Sequence, residues 1–536
     1  MYKVTEEKLK RAIKFLKKDI YDDWYCDLQN YSDLFSDIPK LIEQINHRIQ
    51  AGHGVFVAQK AVLLNIPKGN GGFRYTLELS PLDRIAFHIF GLELISLLDK
   101  SISFRVLSQR KSADEETLFK PAIEQWNKFE NYTRVSGVGK YIIETDLSNY
   151  FENIQVDRLR DELVSAAAQA KLSSDDFLRC MYLIESTISI LKAISFDGKR
   201  GLPQNRDVSH FLANIYMRHL DSRMTGRTYF RYVDDIRIIA ESRAEANLLM
   251  LNLVECLREF GLAINSGKTR ILIPGSAEHE SFINDFDFEA KKVEAMLNSG
   301  KRKFVNESFQ EIFRATKMLL DENKIHERRF RFYANRLITF LNAKDVTVPQ
   351  KYRDEIAERL IGGIEAHPDC AAQICALVQA LGPNKKLQSS LVDWATDSDN
   401  LTFEWAVYTV IKTLAEQKFK SVKLQAFCRT VLSRQDFSDP ITGIAAVFIN
   451  VRAASRIETR VSQDNTHFLQ RHLLIALSLS HPQLLKKKNT GKRIHEEYLG
   501  QHYRLHKASK APGYALVRRT ERVTQRILIK ELRNYA

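Results

Sequence analysis

Two patterns of apolar and polar positions divide this chain of 536 residues. Over residues 1–285, short apolar runs typical of strands alternate with stretches whose apolar residues recur every three or four positions, as in helices. Over residues 286–536 only the helical spacing recurs, in segments joined by short polar loops. The pattern therefore predicts an α+β domain with N-terminal helices over 1–285 and an all-α domain, a solenoid of helical repeats or an irregular bundle, over 286–536.

An adjacent pair of acidic residues lies between two short apolar runs near the middle of the chain. Tyr229–Val233 and Ile236–Ala240 are rich in strand-forming residues, and Asp234 and Asp235 separate them. The stretch predicts a β-hairpin with two carboxylates at its tip. By itself such a pair is most often an ordinary polar turn. Mutual repulsion between neighbouring carboxylates nevertheless favours a bound cation, and oxygen ligands of this kind suit Mg²⁺.

A third acidic residue follows a predicted strand earlier in the chain. The apolar residues Tyr141–Ile143 lead to Asp146, which is predicted to lie at the rim of a sheet or to cap the next helix. The order of elements over residues 141–271 predicts a split βαββαβ sheet with helices on one face. That topology brings Asp146 beside Asp234 and Asp235, so that three carboxylates converge on two divalent cations.

A glycine-rich turn upstream carries two cations. Lys68 and Arg74 flank this turn between two predicted strands, so both can meet across a hairpin, and such a pair suits a triphosphate. Two solvated cations on a loop are the ordinary alternative. The charged segment from Ser101 to Val138 predicts a loop. The cluster of Asp22 and Asp23 with Tyr21 and Tyr25 is predicted to have only surface and packing roles.

The charge of the chain points to a polyanionic partner. The formal net charge is +14, and residues 481–536 contribute fourteen Lys and Arg against four Glu, or +10. A solvated basic face explains that tail equally well. The sequence shows no apolar run that would span a membrane, no signal peptide and no disulfide framework among its six cysteines, which together predict a cytoplasmic protein with no membrane partner.

Taken together, these segments resemble the motifs of reverse transcriptases. In chain order the matching segments are Arg74–Arg84 (which includes Pro81–Arg84), Asp146–Phe151, Gly201–Ser209, Tyr232–Asp235 and Gly261–Thr269. They are similar to a fingers segment, the first and second palm motifs, the YxDD box and the Lys-bearing segment that follows it. The resemblance covers residues 55–285 and implies a right-hand polymerase with fingers and palm. Asn205 departs from the pattern, because the family usually has Gly after the residue matching Gln204, and this difference puts conventional templated copying in doubt.

The resemblance implies a role for each matching acidic residue. Asp146 and Asp234 would be ligands of two Mg²⁺ ions, with Mn²⁺ as an alternative, and Asp235 would complete the acidic cluster. The ions would activate a primer hydroxyl and neutralise the leaving pyrophosphate.

The resemblance also implies a nucleotide site. Lys68 and Arg74 would hold the triphosphate, Gln204 would line the site, and Lys268 would act near the leaving group. Phe151 occupies the steric-gate position, where a bulky ring crowds a ribose 2′-hydroxyl, so dNTPs are the expected substrates.

A palm followed by a long helical domain is similar to the defence-associated, abortive-infection class of bacterial "unknown group" reverse transcriptases. That likeness implies antiphage defence, template-independent DNA synthesis primed from a protein hydroxyl, and homo-oligomers. No residue identifies the priming group among nineteen tyrosines.

Other functions remain open at this stage. A retron-like or group II intron-like enzyme would copy a specific RNA, although the helical half shows no endonuclease or maturase signature. A nucleic-acid-binding module with an idle palm and a helical scaffold that recruits a partner are the non-enzymatic alternatives. Nucleic acid, as DNA product or RNA template, is the expected partner in most of these functions.

Overall fold

The structure of the protein is a computed structural model. It describes residues 2–69, 71–284, 292–293, 295–297, 302–343, 348–449, 454–461, 463, 465–486, 504–511 and 514–516. Most of the basic tail that the sequence analysis singled out therefore lies outside the described residues. Among the described residues, no helix is both long and apolar enough to cross a bilayer.

The first half of the chain alternates helices and strands. Its elements are α1 (Glu6–Asp19), α2 (Ser32–Phe35), α3 (Ile38–Ala51), β1 (Val62–Pro67), β2 (Phe73–Glu78), α4 (Pro81–Leu98), α5 (Ala122–Gly137), β3 (Tyr141–Thr145), α6 (Tyr150–Asn153), α7 (Val156–Gln169), α8 (Ser174–Ile194), α9 (Asp207–Tyr216), α10 (Arg218–Arg223), β4 (Thr228–Tyr232), β5 (Asp235–Ala240), α11 (Arg243–Glu259), β6 (Arg270–Leu272) and α12 (Ala277–Asn284).

The described part of the second half is helical. Its longer elements are α13 (Arg302–Asp321), α14 (Arg328–Asn342), α15 (Gln350–Ala366), α16 (Ala371–Leu381), α17 (Lys385–Ala395), α18 (Glu404–Glu416), α19 (Val422–Ser433), α20 (Asp439–Ile449), α21 (Ala454–Val461) and α22 (His467–Ser480).

These elements form two compact units, each assembled from separate stretches of chain. The first unit comprises Met1–Cys26, Asp37–Leu63 and Thr76–Phe286. The second comprises Asp27–Ser36, Leu64–Tyr75 and Asp287–Ala536.

The first unit contains a four-stranded antiparallel sheet in the order β4-β5-β3-β6. With β3, β4, β5 and β6 as its strands and helices between β3 and β4 and between β5 and β6, the sheet has the predicted βαββαβ topology. Ile142, Ile239 and Leu272 form a buried cluster covered by residues of α12. Ile143 and Ile238 are opposite each other and also fully buried, and they point to the other face because side chains alternate along a strand. Both faces are therefore covered, and the expectation of helices on one face was wrong.

Helix α5 corrects the prediction of a loop over residues 101–138. Its buried positions are Gln125, Phe129, Thr133 and Gly137, which recur at every fourth residue. Two of these four side chains are polar and one is absent, so the buried face carries little apolar signal. The helix packs against β4 and β5.

The second unit is built from helices that pack in two rows. In one row α14, α16, α18, α20 and α22 pack side by side in that order, and the intervening helices α13, α15 and α17 pack on their neighbours in this row. Arg471 on α22 holds the segment Asp27–Ser36 in the same unit, because it pairs with Asp27 at 2.7 Å and with Asp33 at 2.7 Å. The helical-repeat character of this unit remains a prediction.

Candidate active site

The turn between β4 and β5 holds an aspartate in a strained setting. Tyr232 is opposite Asp235 in the register, so Val233 and Asp234 form the two-residue turn. Val233 has a φ of 56°, which a β-branched residue rarely adopts, so surrounding contacts must maintain this conformation. The Val233 amide donates to Ser108 Oγ at 2.8 Å, and Arg231 Nη1 donates to the Val233 carbonyl at 3.0 Å. The turn therefore keeps Asp234 at the tip.

Arg231 is the buried support of this hairpin. Its guanidinium is fully buried and pairs with Asp221 at 2.8 Å, and Nη1 also donates to Asn214 Oδ1 at 2.8 Å. Asp221 and neighbouring groups outweigh the desolvation of the guanidinium and raise the pKa of Arg231. The arginine therefore stays charged and links β4 to α9 and α10.

The three predicted acidic residues lie close together, so that the charge of Asp146 acts on both Asp234 and Asp235. Burial, followed by the charges of Asp146 and Asp235, raises the pKa of Asp234 to about 7. Burial also raises the pKa of Asp235 to about 6, with Arg237 opposing the shift and Asp146 adding to it. Both raised pKa values indicate that negative charge at this site is only partly compensated, which favours binding of a cation.

Lys268 supplies part of the compensating charge. Its ammonium lies 3.0 Å from Asp146 Oδ2, although 66% of the lysine side chain is exposed. Asn265 Nδ2 donates to the same oxygen at 3.3 Å, and the Asn265 amide donates to the Asp146 carbonyl at 2.7 Å. Desolvation acts against the charged lysine, but Asp146, Asp234 and Asp235 raise the pKa of Lys268 overall.

The donor atoms at this site suit a hard divalent cation. They are carboxylate oxygens, the ligands that Mg²⁺ prefers. Within the described ranges, however, no group of three or more His, Cys, Asp or Glu side chains is gathered around one point. The ammonium of Lys268 takes one Asp146 oxygen, so a cation that uses this oxygen must displace the lysine.

Phe151 lies after the strand that leads to Asp146. Residue Asn149, with a φ of 46°, turns the chain into α6, and the Phe151 ring meets His210 edge-on with ring centroids 5.0 Å apart. The Phe151 carbonyl accepts from the Leu202 amide at 2.9 Å, which ties α6 to the loop of residues 201–206. Gln204 is half-buried in that loop, next to Asn205, whose φ is 56°.

Lys68 and Arg74 lie on the β1–β2 hairpin, whose tip belongs to the second unit. Both side chains are half-buried. The Lys68 amide donates to the Gly72 carbonyl at 2.7 Å and thereby closes the turn. The association of these two cations with the three aspartates remains a prediction.

A buried ionic network that the sequence analysis missed supports the Gln204 loop. Arg206 pairs with Glu78 at 3.0 Å and also with Asp23, and Arg84 pairs with Asp19 at 2.5 Å. Asp23 is only 3% exposed, so the prediction of a surface role for it was wrong. One signal was available, because Arg84 and Asp83 are charged residues at the start of a largely apolar helix, a pattern typical of buried ion pairs.

Comparison with known proteins identifies the type of domain. Residues 66–310 match the sequence profile of the family described as "Reverse transcriptase (RNA-dependent DNA polymerase)". The chain therefore contains a reverse transcriptase domain. It is also 28% identical over 174 residues to "Putative COX1/OXI3 intron 1 protein" of Saccharomyces cerevisiae, a match that covers 32% of this chain and 19% of that protein. The chain thus spans about a fifth of that relative.

Solved telomerase structures show a weaker likeness. Apo telomerase from Candida tropicalis matches with 12% identity and a TM-score of 0.33, over 87% of this chain and 74% of that chain. Telomerase from Candida albicans in complex with a fragment of telomeric RNA matches with 12% identity and a TM-score of 0.31, over 68% of each chain. With TM-scores this low, these likenesses add no support to a conclusion about fold or function.

Proposed function

We propose that this protein is a DNA polymerase of the reverse transcriptase type that adds dNTPs and acts in antiphage defence by abortive infection. The observation that carries the polymerase part is the proximity of Asp146 to Asp234 and Asp235 at the ends of the central strands, where burial and the charge of Asp146 raise the pKa of both Asp234 and Asp235, inside a segment that matches reverse transcriptases. Raised carboxylate pKa values beside an exposed lysine are typical of a site that takes up charged substrates.

Each acidic residue has a distinct place in the proposed chemistry. Asp146 and Asp234 would hold two Mg²⁺ ions, or Mn²⁺ in their place, and Asp235 would complete the acidic cluster. When bound, the ions would activate the attacking hydroxyl and neutralise the departing pyrophosphate. Lys268 lies 3.0 Å from Asp146 and would leave this carboxylate to pair with the pyrophosphate.

The remaining residues would select and hold the nucleotide. Lys68 and Arg74 would bind the triphosphate, Gln204 would line the base and sugar site, and the Phe151 ring would exclude a 2′-hydroxyl. The contact between Phe151 and His210 supports this role, because a ring held edge-on by a neighbour cannot easily rotate away from a ribose.

The defence role rests on architecture. A reverse transcriptase domain is joined to the second, helical unit, whose described part after residue 300 contains ten longer helices, as in the abortive-infection class that the sequence resembles. Template-independent synthesis from a protein hydroxyl, homo-oligomers and a cytoplasmic location belong to the same proposal. The side chain of Asn205 at the usual glycine position supports a departure from templated copying.

The decisive experiment measures incorporation of labelled dNTPs and NTPs with Mg²⁺ and without added nucleic acid. Wild type is compared with Asp234→Asn and with Asp175→Asn, a matched change of an exposed aspartate in the same unit. We expect product in wild type and Asp175→Asn that stays attached to denatured protein, and no product in Asp234→Asn. Product only after addition of a primed RNA would instead indicate templated copying, as in a retron.

A nucleic-acid-binding module without turnover is the second candidate. The observation in its favour is the ion pair between Lys268 and Asp146, which neutralises a residue that a polymerase needs for its metal. Tight binding of RNA or DNA with no incorporation in any of the conditions above, at equal strength in wild type and Asp234→Asn, would favour this candidate.

A further inference from the structure

The tip of the β1–β2 hairpin is packed on the helical unit. Residues Leu64–Tyr75 cluster with the C-terminal helices, although strand residues on either side cluster with the first unit. The ring of Phe73 stacks on that of Phe403, with centroids 6.2 Å apart and planes inclined by 24°. Phe403 directly precedes α18, so the first contact joins the hairpin to the start of a buried helix.

A second contact involves the glycine turn itself. A Cβ atom added to Gly69 would lie 3.1 Å from Asp369 Oδ2, so the turn and this carboxylate are in close approach. Asp369 belongs to the short turn Pro368–Cys370, which is fixed because the Cys370 amide donates to the His367 carbonyl at 2.9 Å. His367 in turn bonds to the Asn323 carbonyl at 3.0 Å through Nε2. The hairpin tip therefore rests on an ordered part of the helical unit.

We propose that Phe403 and Asp369 are positioning residues through which the helical unit sets the affinity for the incoming nucleoside triphosphate. The inference rests on the proposed function, since it takes Lys68 and Arg74 as triphosphate ligands. It assigns to the helical unit a direct part in substrate binding, in addition to any role in defence.

The geometry of the strand explains how the contact works. Phe73 and Arg74 are neighbours in β2, and side chains of neighbouring strand residues point to opposite faces. Phe403 contacts the face of the strand that carries Phe73. Arg74 lies on the opposite face, so the same contact fixes the position of the Arg74 backbone. Lys68 is tied to the same frame by its bond to Gly72. Loss of the aromatic contact therefore loosens both cations together, and the hairpin must be ordered again whenever a triphosphate binds.

The expected size of the effect follows from the strength of an aromatic pair. Such pairs contribute enough to change an equilibrium roughly twofold to tenfold. Phe403→Ala should therefore raise KM for dNTP, and the Kd for dNTP binding without turnover, roughly threefold to tenfold, while kcat changes less than about twofold. Phe403→Tyr keeps the ring and should behave as wild type.

Two further variants guard against simple unfolding. Phe73→Ala removes the contact from the hairpin side, where the ring is 45% exposed, and should give the same rise in KM. Phe437→Ala truncates a half-buried ring of the same unit that contacts Phe427 and should leave KM unchanged. The double variant of Phe73 and Phe403 should be no worse than either single variant, because both remove one contact.

Hydrogen exchange of residues 64–75 in the full-length protein separates this inference from the proposed function. Faster exchange at the hairpin in Phe403→Ala, together with a raised KM, is the expected result. Unchanged exchange, or a KM equal to that of wild type in a folded Phe403→Ala protein, overturns the inference. A third outcome is faster exchange at the hairpin in Phe403→Ala together with a wild type that neither binds nor incorporates dNTPs. That outcome would refute the polymerase proposal, and with it the assignment of a triphosphate to this hairpin.

Discussion

Removal of the Lys268 charge should make the acidic site bind divalent cations more tightly. The ammonium lies 3.0 Å from Asp146 Oδ2 and is the cation that a metal ion must displace from this carboxylate. Lys268→Gln keeps a side chain of similar reach and a hydrogen-bond donor but removes the charge. The substitution thus eliminates a competitor without leaving a large gap in the site.

The size of the change follows from the distance and the exposure. Two unit charges 3.0 Å apart interact by about 1.4 kcal/mol in water, and an exposed pair retains less, up to about 1 kcal/mol. Because 66% of the Lys268 side chain is exposed, the lower figure applies. A difference of about 1 kcal/mol corresponds to roughly fivefold in an equilibrium constant. The Kd for Mg²⁺ or Mn²⁺ should therefore fall by up to about fivefold.

Calorimetric titration with Mn²⁺ measures this Kd directly. The proteins to compare are wild type, Lys268→Gln and Lys268→Arg, a control that keeps the charge. A pH near 8 is suitable, since the pKa of Asp234 is raised to about 7 and that of Asp235 to about 6. Maximal incorporation should fall in Lys268→Gln even as cation affinity rises, if the lysine also assists the leaving pyrophosphate. A Kd that is unchanged or higher in Lys268→Gln would refute the view of Lys268 as a competitor for the metal site.

Three other outcomes are expected. Phe151→Ala should raise the incorporation of NTPs relative to dNTPs by about tenfold or more in kcat/KM, and an unaltered preference would contradict its role as a gate. Arg471→Met leaves Asp27 and Asp33 buried without their partner, so urea denaturation should show a free energy of unfolding lower by about 3–5 kcal/mol, whereas a loss below about 1 kcal/mol would contradict the buried triad. Burial lowers the pKa of His88 to about 4, so the unfolded state binds its proton first and stability is lost as the pH falls from 6.5 towards 4. Between pH 7 and pH 5 wild type should lose about 2 kcal/mol more than His88→Gln in the same denaturation experiment.

The palm could be predicted from the sequence because its signals are local. The strands next to Asp146, Asp234 and Asp235 are short apolar runs bounded by acidic or turn residues, and the structure contains them as β3, β4 and β5. The split βαββαβ arrangement then follows from the alternation of strands and helices, whereas the strand order comes from the structure. Helix α5 escaped prediction for the opposite reason, since Thr133 and Gly137 lie on its buried face and give no apolar period.

Contacts between distant parts of the chain could not be predicted in this way. Arg206 and Asp23 form a buried pair although they are 183 positions apart in the sequence, and each looks like an ordinary surface charge in its own segment. The same holds for Phe73 and Phe403, because an exposed aromatic next to a glycine turn does not indicate which helix it meets. Which distant residues pair in this way depends on the packing of the whole fold, and local patterns in a single sequence do not indicate that packing.

The assembly of the two units explains why function should be tested in the full chain. Two segments from the first half, Asp27–Ser36 and Leu64–Tyr75, belong to the helical unit. Arg471 holds the first segment by ion pairs, and Phe403 holds the second by ring stacking. A chain cut near residue 286 would leave Arg471 without its carboxylates and the hairpin of Lys68 without its support. Loss of activity in such a fragment would therefore follow from the broken unit alone, and point variants at Phe403 and Arg471 separate the contributions that truncation combines.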